Sequence, residues 1–89
     1  MCLTASHRTH DFDVLERLST TSGTVLAQKL LASDGVAGEI VLSTCNRFEI
    51  YLDADSAALP VVQGLRGDLV LLQGEEAARH LFGVATGLE

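Results

Sequence analysis

Segments with two different spacings of apolar residues alternate along the chain. Phe48, Ile50 and Leu52 alternate with polar residues, and this period of two predicts a strand with one apolar face. Residues 39–42 form a short apolar run rich in β-branched side chains, which predicts a buried strand. Residues 1–5 and 68–73 predict two further strands, the second of them also buried.

Helical spacing appears in the segments between these strands. It predicts a short helix over residues 11–18, a second helix from residue 22 or 24 to about residue 33, and a weaker helix over residues 57–65. Gly35 suits the left-handed end of the second helix. A last helix opens at Gly74, and an apolar stripe is predicted along it, formed by Ala78, Leu81, Phe82, Ala85 and Leu88.

The order of these elements predicts the fold class. Strand, helices, strand, strand, helix, strand and helix correspond to a split β-α-β unit repeated twice. We therefore expect an α+β, ferredoxin-like fold, with a four-stranded antiparallel sheet and helices packed on one face. A chain of 89 residues allows one domain.

Composition and charge limit the classes of function. The two cysteines do not form a disulfide framework, and we find neither a membrane span nor a signal peptide, so a cytoplasmic setting fits best. The net charge of −6 argues against these residues holding much of a nucleic acid, because an acidic surface repels phosphates. No Gly-x-Gly-x-x-Gly fingerprint is present, so we predict no dinucleotide site in this chain.

Cys45 lies where one predicted strand ends and the next begins. Arg47 is two residues away, and a neighbouring cation favours the thiolate form that attacks carbonyl groups. The alternative is a small buried cysteine at a strand end. Arg47 itself could hold a carboxylate in bidentate fashion, or could pair with Glu49 or Asp53 on the strand.

The remaining polar candidates are less distinctive. Thr44 and Asn46 could bind a substrate or cap an ordinary turn. His80 lies beside the apolar stripe of the last helix, where a histidine is more often packed or solvated than catalytic.

We assign Cys2 to packing and give His7 and His10 no functional role. Cys45 and the three histidines match no standard zinc spacing, so we expect no metal.

Three motifs in collinear order carry a resemblance to a known family. Ser-Thr-Cys-Asn-Arg-Phe-Glu-Ile-Tyr at residues 43–51 resembles the signature of glutamyl-tRNA reductase. Ser-His-Arg-Thr at residues 6–9, with Val-Leu-Glu-Arg-Leu at 14–18, is similar to that family's N-terminal segment, and residues 80–89 are similar to its histidine-containing helix. One departure is His10-Asp11, where an Ala-Pro pair is common in the family.

The resemblance implies a reaction and a set of roles. Cys45 would attack the ester of glutamyl-tRNA to form a thioester, which NADPH reduces to glutamate-1-semialdehyde for tetrapyrrole (porphyrin and haem) biosynthesis. Thr44, Cys45, Asn46 and Arg47 would contact the substrate. His80 would be the second catalytic residue, orienting the ester or assisting proton transfer.

The resemblance also implies a domain organisation. Residues 1–89 would be an N-terminal catalytic fragment that lacks the NADPH-binding and dimerisation domains of a homodimeric parent. Other domains would hold most of the tRNA. Two other functions stay open: a weak thiol esterase of aminoacyl esters, and a non-catalytic ferredoxin-like module that binds a small ligand.

Overall fold

A computed structural model of the chain describes residues 1–6, 9–18, 22–44, 47–67 and 69–85. Within these ranges the strands are β1 (Cys2–Ser6), β2 (Val36–Thr44), β3 (Arg47–Ala54) and β4 (Val70–Leu72). The helices are α1 (Phe12–Arg17), α2 (Gly23–Leu31), α3 (Leu59–Leu65) and α4 (Gly74–Ala85), and a single 3-10 turn (Ser56–Ala58) precedes α3.

The four strands form one antiparallel sheet in the order β2-β3-β1-β4. This arrangement confirms the predicted α+β class and the four-stranded antiparallel sheet. The order is also the one that two interleaved split β-α-β units produce. β3 lies between β1 and β2 of the first unit, and β1 lies between β3 and β4 of the second. β1 and β3 occupy the centre of the sheet, with Cys2 opposite Tyr51 and Ser6 opposite Arg47.

One face of the sheet carries the hydrophobic core. Alternate residues of the two central strands point to this face, where α1, α2 and α3 cover them. Gly35 has the predicted positive φ, 86°, but it does not form the end of α2 as predicted. The C-cap of α2 is Ala32, and Gly35 lies in the turn directly before β2. The buried core residues of this face are Leu3, Ala5, Leu15, Ala27, Leu30, Phe48, Ile50, Leu52, Ala58, Val62 and Leu69.

The prediction of helices on one face needs a correction for α4. His80 of α4 contacts Thr4 and Glu49, whose side chains point away from the core residues Leu3 and Ile50. α4 therefore covers the second face of the sheet. The physical reason is that the polar side chains on this face need hydrogen-bond partners when they are buried, and α4 supplies one in His80. In the described ranges, no helix is long and apolar enough to cross a membrane.

Three predictions of buried apolar residues are also wrong. β4, predicted as a buried strand, lies at an edge of the sheet, where Val70 is 40 % exposed and Leu71 and Leu72 are only partly buried. β2 is an edge strand, so Ile40 is 70 % exposed and Val41 is 44 % exposed, instead of buried as the apolar run indicated. α4 directs Ala77 inward, whereas Leu81 and Phe82 of its predicted apolar stripe are 48 % and 72 % exposed. The side of α4 that packs on the sheet is the side that carries His80, and this places the stripe outward.

Candidate functional site

A buried carboxylate, Glu49, is the centre of the polar face of the sheet. Its side chain is 0 % exposed. Thr4 lies directly opposite on β1 and donates its hydroxyl hydrogen bond to Oε2 of Glu49 at 2.6 Å. Arg47 and Tyr51 lie two residues away along β3, on the same face, and donate to Oε2 at 3.1 Å and to Oε1 at 2.7 Å. The alternation of the strand thus brings three donors to one carboxylate.

A fourth partner comes from α4. His80 Nε2 contacts Oε2 of Glu49 and lies 3.5 Å from the hydroxyl of Thr4. The His80 side chain is 15 % exposed, so the imidazole joins the buried carboxylate to the protein surface. Because an ionised carboxylate only accepts hydrogen bonds, the ring nitrogen that faces Glu49 carries a proton.

The partners of Glu49 set its ionisation. Burial by itself raises the pKa of the Glu49 carboxyl, since a charge is poorly solvated there. The hydrogen bonds from Thr4, His80 and Tyr51, together with the charge of His80, outweigh burial and hold this pKa below its ordinary value. Glu49 is therefore a buried anion, stabilised by donors on two strands and one helix.

Cys2 and Tyr51 stay protonated beside this anion. Burial, followed by the negative charge of Glu49, raises the pKa of the Cys2 thiol to about 12. Burial and the hydrogen bond to Glu49 likewise raise the pKa of Tyr51 well above its ordinary value. A buried thiol with such a pKa is a poor nucleophile at neutral pH, which agrees with the assignment of Cys2 to packing.

The sequence-predicted site residues have different places in this arrangement. Thr44 ends β2, is exposed, and pairs with Arg47 at the start of β3. Cys45 and Asn46 lie between them in the sequence, outside the described residues, as does His7. The substrate-binding and catalytic roles of all these residues stay predictions.

The structure answers a question that the sequence left open for Arg47. Arg47 does pair with Glu49, but the pair is not a surface contact, because the two side chains are 11 % and 0 % exposed. The guanidinium has five N–H donors, and the contact with Glu49 is through Nη1. Pairing with Glu49 and recognition of a ligand carboxylate are therefore compatible for this residue.

His10 stands apart from the network. It lies in the turn after β1, where its Nδ1 is 2.7 Å from the hydroxyl of Thr9. The sequence interpretation missed Glu49, Thr4 and Tyr51, since each was taken as an ordinary strand residue. The only signal in the sequence was that Glu49 is a charged residue two positions from Arg47, on the same face of the strand. No local pattern indicated that α4 would cover Glu49.

Comparison with known proteins places the chain in a family. The model of the glutamyl-tRNAGlu reductase N-terminal domain matches residues 3–89, nearly all of the chain. The chain belongs to the glutamyl-tRNA reductase N-terminal domain family. The family resemblance of the three sequence motifs is thereby confirmed.

Relatives named glutamyl-tRNA reductase agree with this assignment. One from Clavibacter michiganensis is 39 % identical over 100 % of this chain and 25 % of its own length. One from Tropheryma whipplei is 38 % identical over 100 % of this chain and 24 % of its own length. One from Aeropyrum pernix is 51 % identical over 58 % of this chain and 14 % of its own length. The chain thus spans about a quarter of the length of the first two relatives.

Proposed function

We propose that this chain carries the thiol chemistry of an NADPH-dependent glutamyl-tRNA reductase. The Cys45 thiolate would attack the carbonyl carbon of the glutamyl ester, forming a C–S bond, and the C–O bond to the tRNA ribose would break. The observation that carries this proposal is the buried network that links Arg47 to His80 through Glu49. Arg47 is two positions from the proposed nucleophile in the sequence. Family membership supports the choice of glutamyl-tRNA as the substrate.

Glu49 would act as a positioning residue for His80. Its contact with Nε2 fixes the orientation of the ring, much as a buried carboxylate orients the histidine of a hydrolase triad. His80 would then exchange protons through Nδ1, supplying one to the ribose oxygen as the tRNA leaves. The partial exposure of His80 is compatible with this role, because one edge of the ring can reach a substrate.

Arg47 would bind the γ-carboxylate of the glutamyl group. Its anchorage to Glu49 would hold the guanidinium in place, which lowers the entropy cost of binding the ligand. Thr44, paired with Arg47 across the β2–β3 hairpin, and Asn46 would contribute further hydrogen bonds to the substrate. Each of these residues lies within two positions of Cys45 in the sequence.

The second half of the reaction needs a hydride. A nicotinamide cofactor would supply the hydride to the thioester carbon, and the C–S bond would break to give glutamate-1-semialdehyde and the Cys45 thiolate. We propose that NADPH is bound by the part of the longer relatives that this chain does not span. We likewise propose that such parts hold most of the tRNA and form a homodimer, and that the protein serves tetrapyrrole biosynthesis in the cytoplasm.

Trapping the acyl-enzyme tests this function directly. After incubation of the 89-residue chain with glutamyl-tRNA, intact-mass spectrometry should show a glutamyl adduct. Cys45→Ala should abolish the adduct, whereas Cys2→Ala, which removes the buried thiol, should retain it. NADPH should leave the lifetime of the adduct unchanged.

Three outcomes would contradict the proposal. An adduct that survives Cys45→Ala would move the nucleophile elsewhere. Absence of any adduct would favour a non-catalytic ligand-binding module. Rapid release of free glutamate without NADPH would favour a thiol esterase of aminoacyl esters.

A further inference from the structure

Three side-chain atoms of types that bind metals lie close together between α4 and the sheet. The sulfur of Cys2, a carboxylate oxygen of Glu49 and a ring nitrogen of His80 all lie within 4.8 Å of one another. They come from β1, β3 and α4, so the tertiary fold alone brings them together. Among the described residues this is the one such group.

The donor set selects a class of cation. A thiolate and an imidazole suit borderline ions such as Zn²⁺, whereas Mg²⁺ and Ca²⁺ prefer sites made only of oxygen. A Cys2 thiolate and a Glu49 carboxylate would together balance the two charges of Zn²⁺, and His80 would bind as the neutral ring. Three protein ligands would leave a fourth tetrahedral position for water.

The surroundings already orient the carboxylate. Tyr51 donates to Oε1 of Glu49 and Thr4 donates to Oε2, and outer hydrogen bonds of this kind support metal ligands. Arg47 acts in the opposite direction, because its cation lies 3.1 Å from Oε2. The ion would also have to replace the direct contact between His80 and Glu49. These two costs, together with that of ionising the buried Cys2 thiol, indicate reversible occupancy rather than a permanently bound ion.

We propose that Cys2, Glu49 and His80 form a reversible Zn²⁺ site that uses the buried Cys2 thiol and no ligand from Cys45. On binding, the S–H bond of Cys2 breaks and its proton passes to the solvent. The ring nitrogen of His80 that faces Glu49 also gives up its proton, and Zn–S, Zn–O and Zn–N bonds form. The spacing rules used on the sequence could not reveal this site, since its ligands are 47 and 31 residues apart by their numbers. The proposal does not depend on the proposed reductase function.

Co²⁺ is the probe for the test, because a thiolate ligand gives it a sulfur-to-metal charge-transfer absorption band. Titration of the reduced 89-residue chain should produce this band and saturate at one Co²⁺ per chain, and Zn²⁺ should abolish it by displacement. Cys2→Ser should remove the band. Cys45→Ser, the matched variant at the other cysteine, should keep it.

A second pair of variants guards against misfolding of Cys2→Ser. His80→Gln, at a partly exposed position, should weaken Co²⁺ binding by about tenfold or more. His10→Gln, outside the network, should bind as the wild type does. A band that persists in Cys2→Ser, a band lost in Cys45→Ser, unchanged affinity in His80→Gln, or no band in the wild type would each overturn the site. None of these readouts requires glutamyl-tRNA, so they stand apart from the acylation test.

Discussion

The two faces of β1 and β3 are both largely shielded from water, but different interactions stabilise them. On one face, Leu3 and Ile50 pack under α2 and α3, and both are 0 % exposed. On the other face, Thr4 and Glu49 lie under α4 and are 7 % and 0 % exposed. The alternation of apolar and polar residues along a central strand therefore separates two kinds of interior, and not an interior from a solvated surface.

This difference has consequences for specificity. Apolar packing tolerates several arrangements of similar volume, because dispersion and the hydrophobic effect are weakly directional. A buried carboxylate tolerates far fewer, since each missing donor leaves part of a charge unsatisfied. The positions of side chains are accordingly more strictly fixed on the polar face, which binds His80, than on the apolar face.

Ile50→Ala should give the largest loss of stability, because it removes apolar volume from the centre of the core face. We expect the free energy of unfolding to fall by about 2–5 kcal/mol, measured by urea denaturation. Ile40→Ala is the matched control, since Ile40 lies on the edge strand and is 70 % exposed. A comparable loss in both variants would mean that β2 is covered in solution and that the core is not confined to one face.

Glu49→Gln should have the next largest effect, because it retains the shape of the side chain but removes the charge that its partners require. Replacing this acceptor should cost about 1.5–3 kcal/mol, the range for hydrogen bonds to charged groups. Glu75→Gln is the control. Its ion pair with Arg79 is 2.8 Å long but highly exposed, so we expect little change.

If both variants lost an equal, small amount of free energy of unfolding, the polar face would behave as an ordinary solvated surface. A loss for Glu49→Gln larger than that for Ile50→Ala would instead make the network the principal source of stability. Far-UV circular dichroism would separate loss of the α4 contact from global unfolding, because loss of α4 alone would remove only part of the total helical signal. His80 links α4 to Glu49.

Local periodicity was sufficient to predict most of the fold. The period of two in β3 and the helical spacing of α1 and α2 depend on nearby residues only, and the order of elements follows from them. The burial of residues 39–42 could not be predicted in this way, because being an edge strand depends on the strand order.

The candidate site was less accessible to sequence reasoning. The motif around Cys45 pointed to Arg47, and the family resemblance pointed to His80, but neither indicated that Glu49 joins them. That link requires the register of β1 against β3 and the position of α4, which are contacts between residues up to 76 positions apart. The apolar stripe of α4 was misleading for the same reason, since a helix turns inward the side whose contacts the whole fold favours.

Glu39 gives a weaker but more specific test of the comparison, because it is a carboxylate on the core face. It lies opposite Leu52, and within the described part of the chain its Oε2 is buried without a hydrogen-bond partner. Burial therefore raises the pKa of Glu39 above its ordinary value of 4.5, the reverse of the net effect at Glu49.

The sign of the pH dependence follows from this direction. The folded chain holds the Glu39 proton more tightly than the unfolded chain, so ionising Glu39 disfavours the folded state. That cost is absent below the unfolded pKa and complete above the raised folded pKa. Glu39→Gln should therefore be slightly more stable than the wild type at neutral pH, and the gain should shrink as the pH falls through this window. Urea midpoints of both proteins across the acid range would measure the difference. A gain that is independent of pH would show that Glu39 is solvated, and that a lone carboxylate on the core face needs no partner.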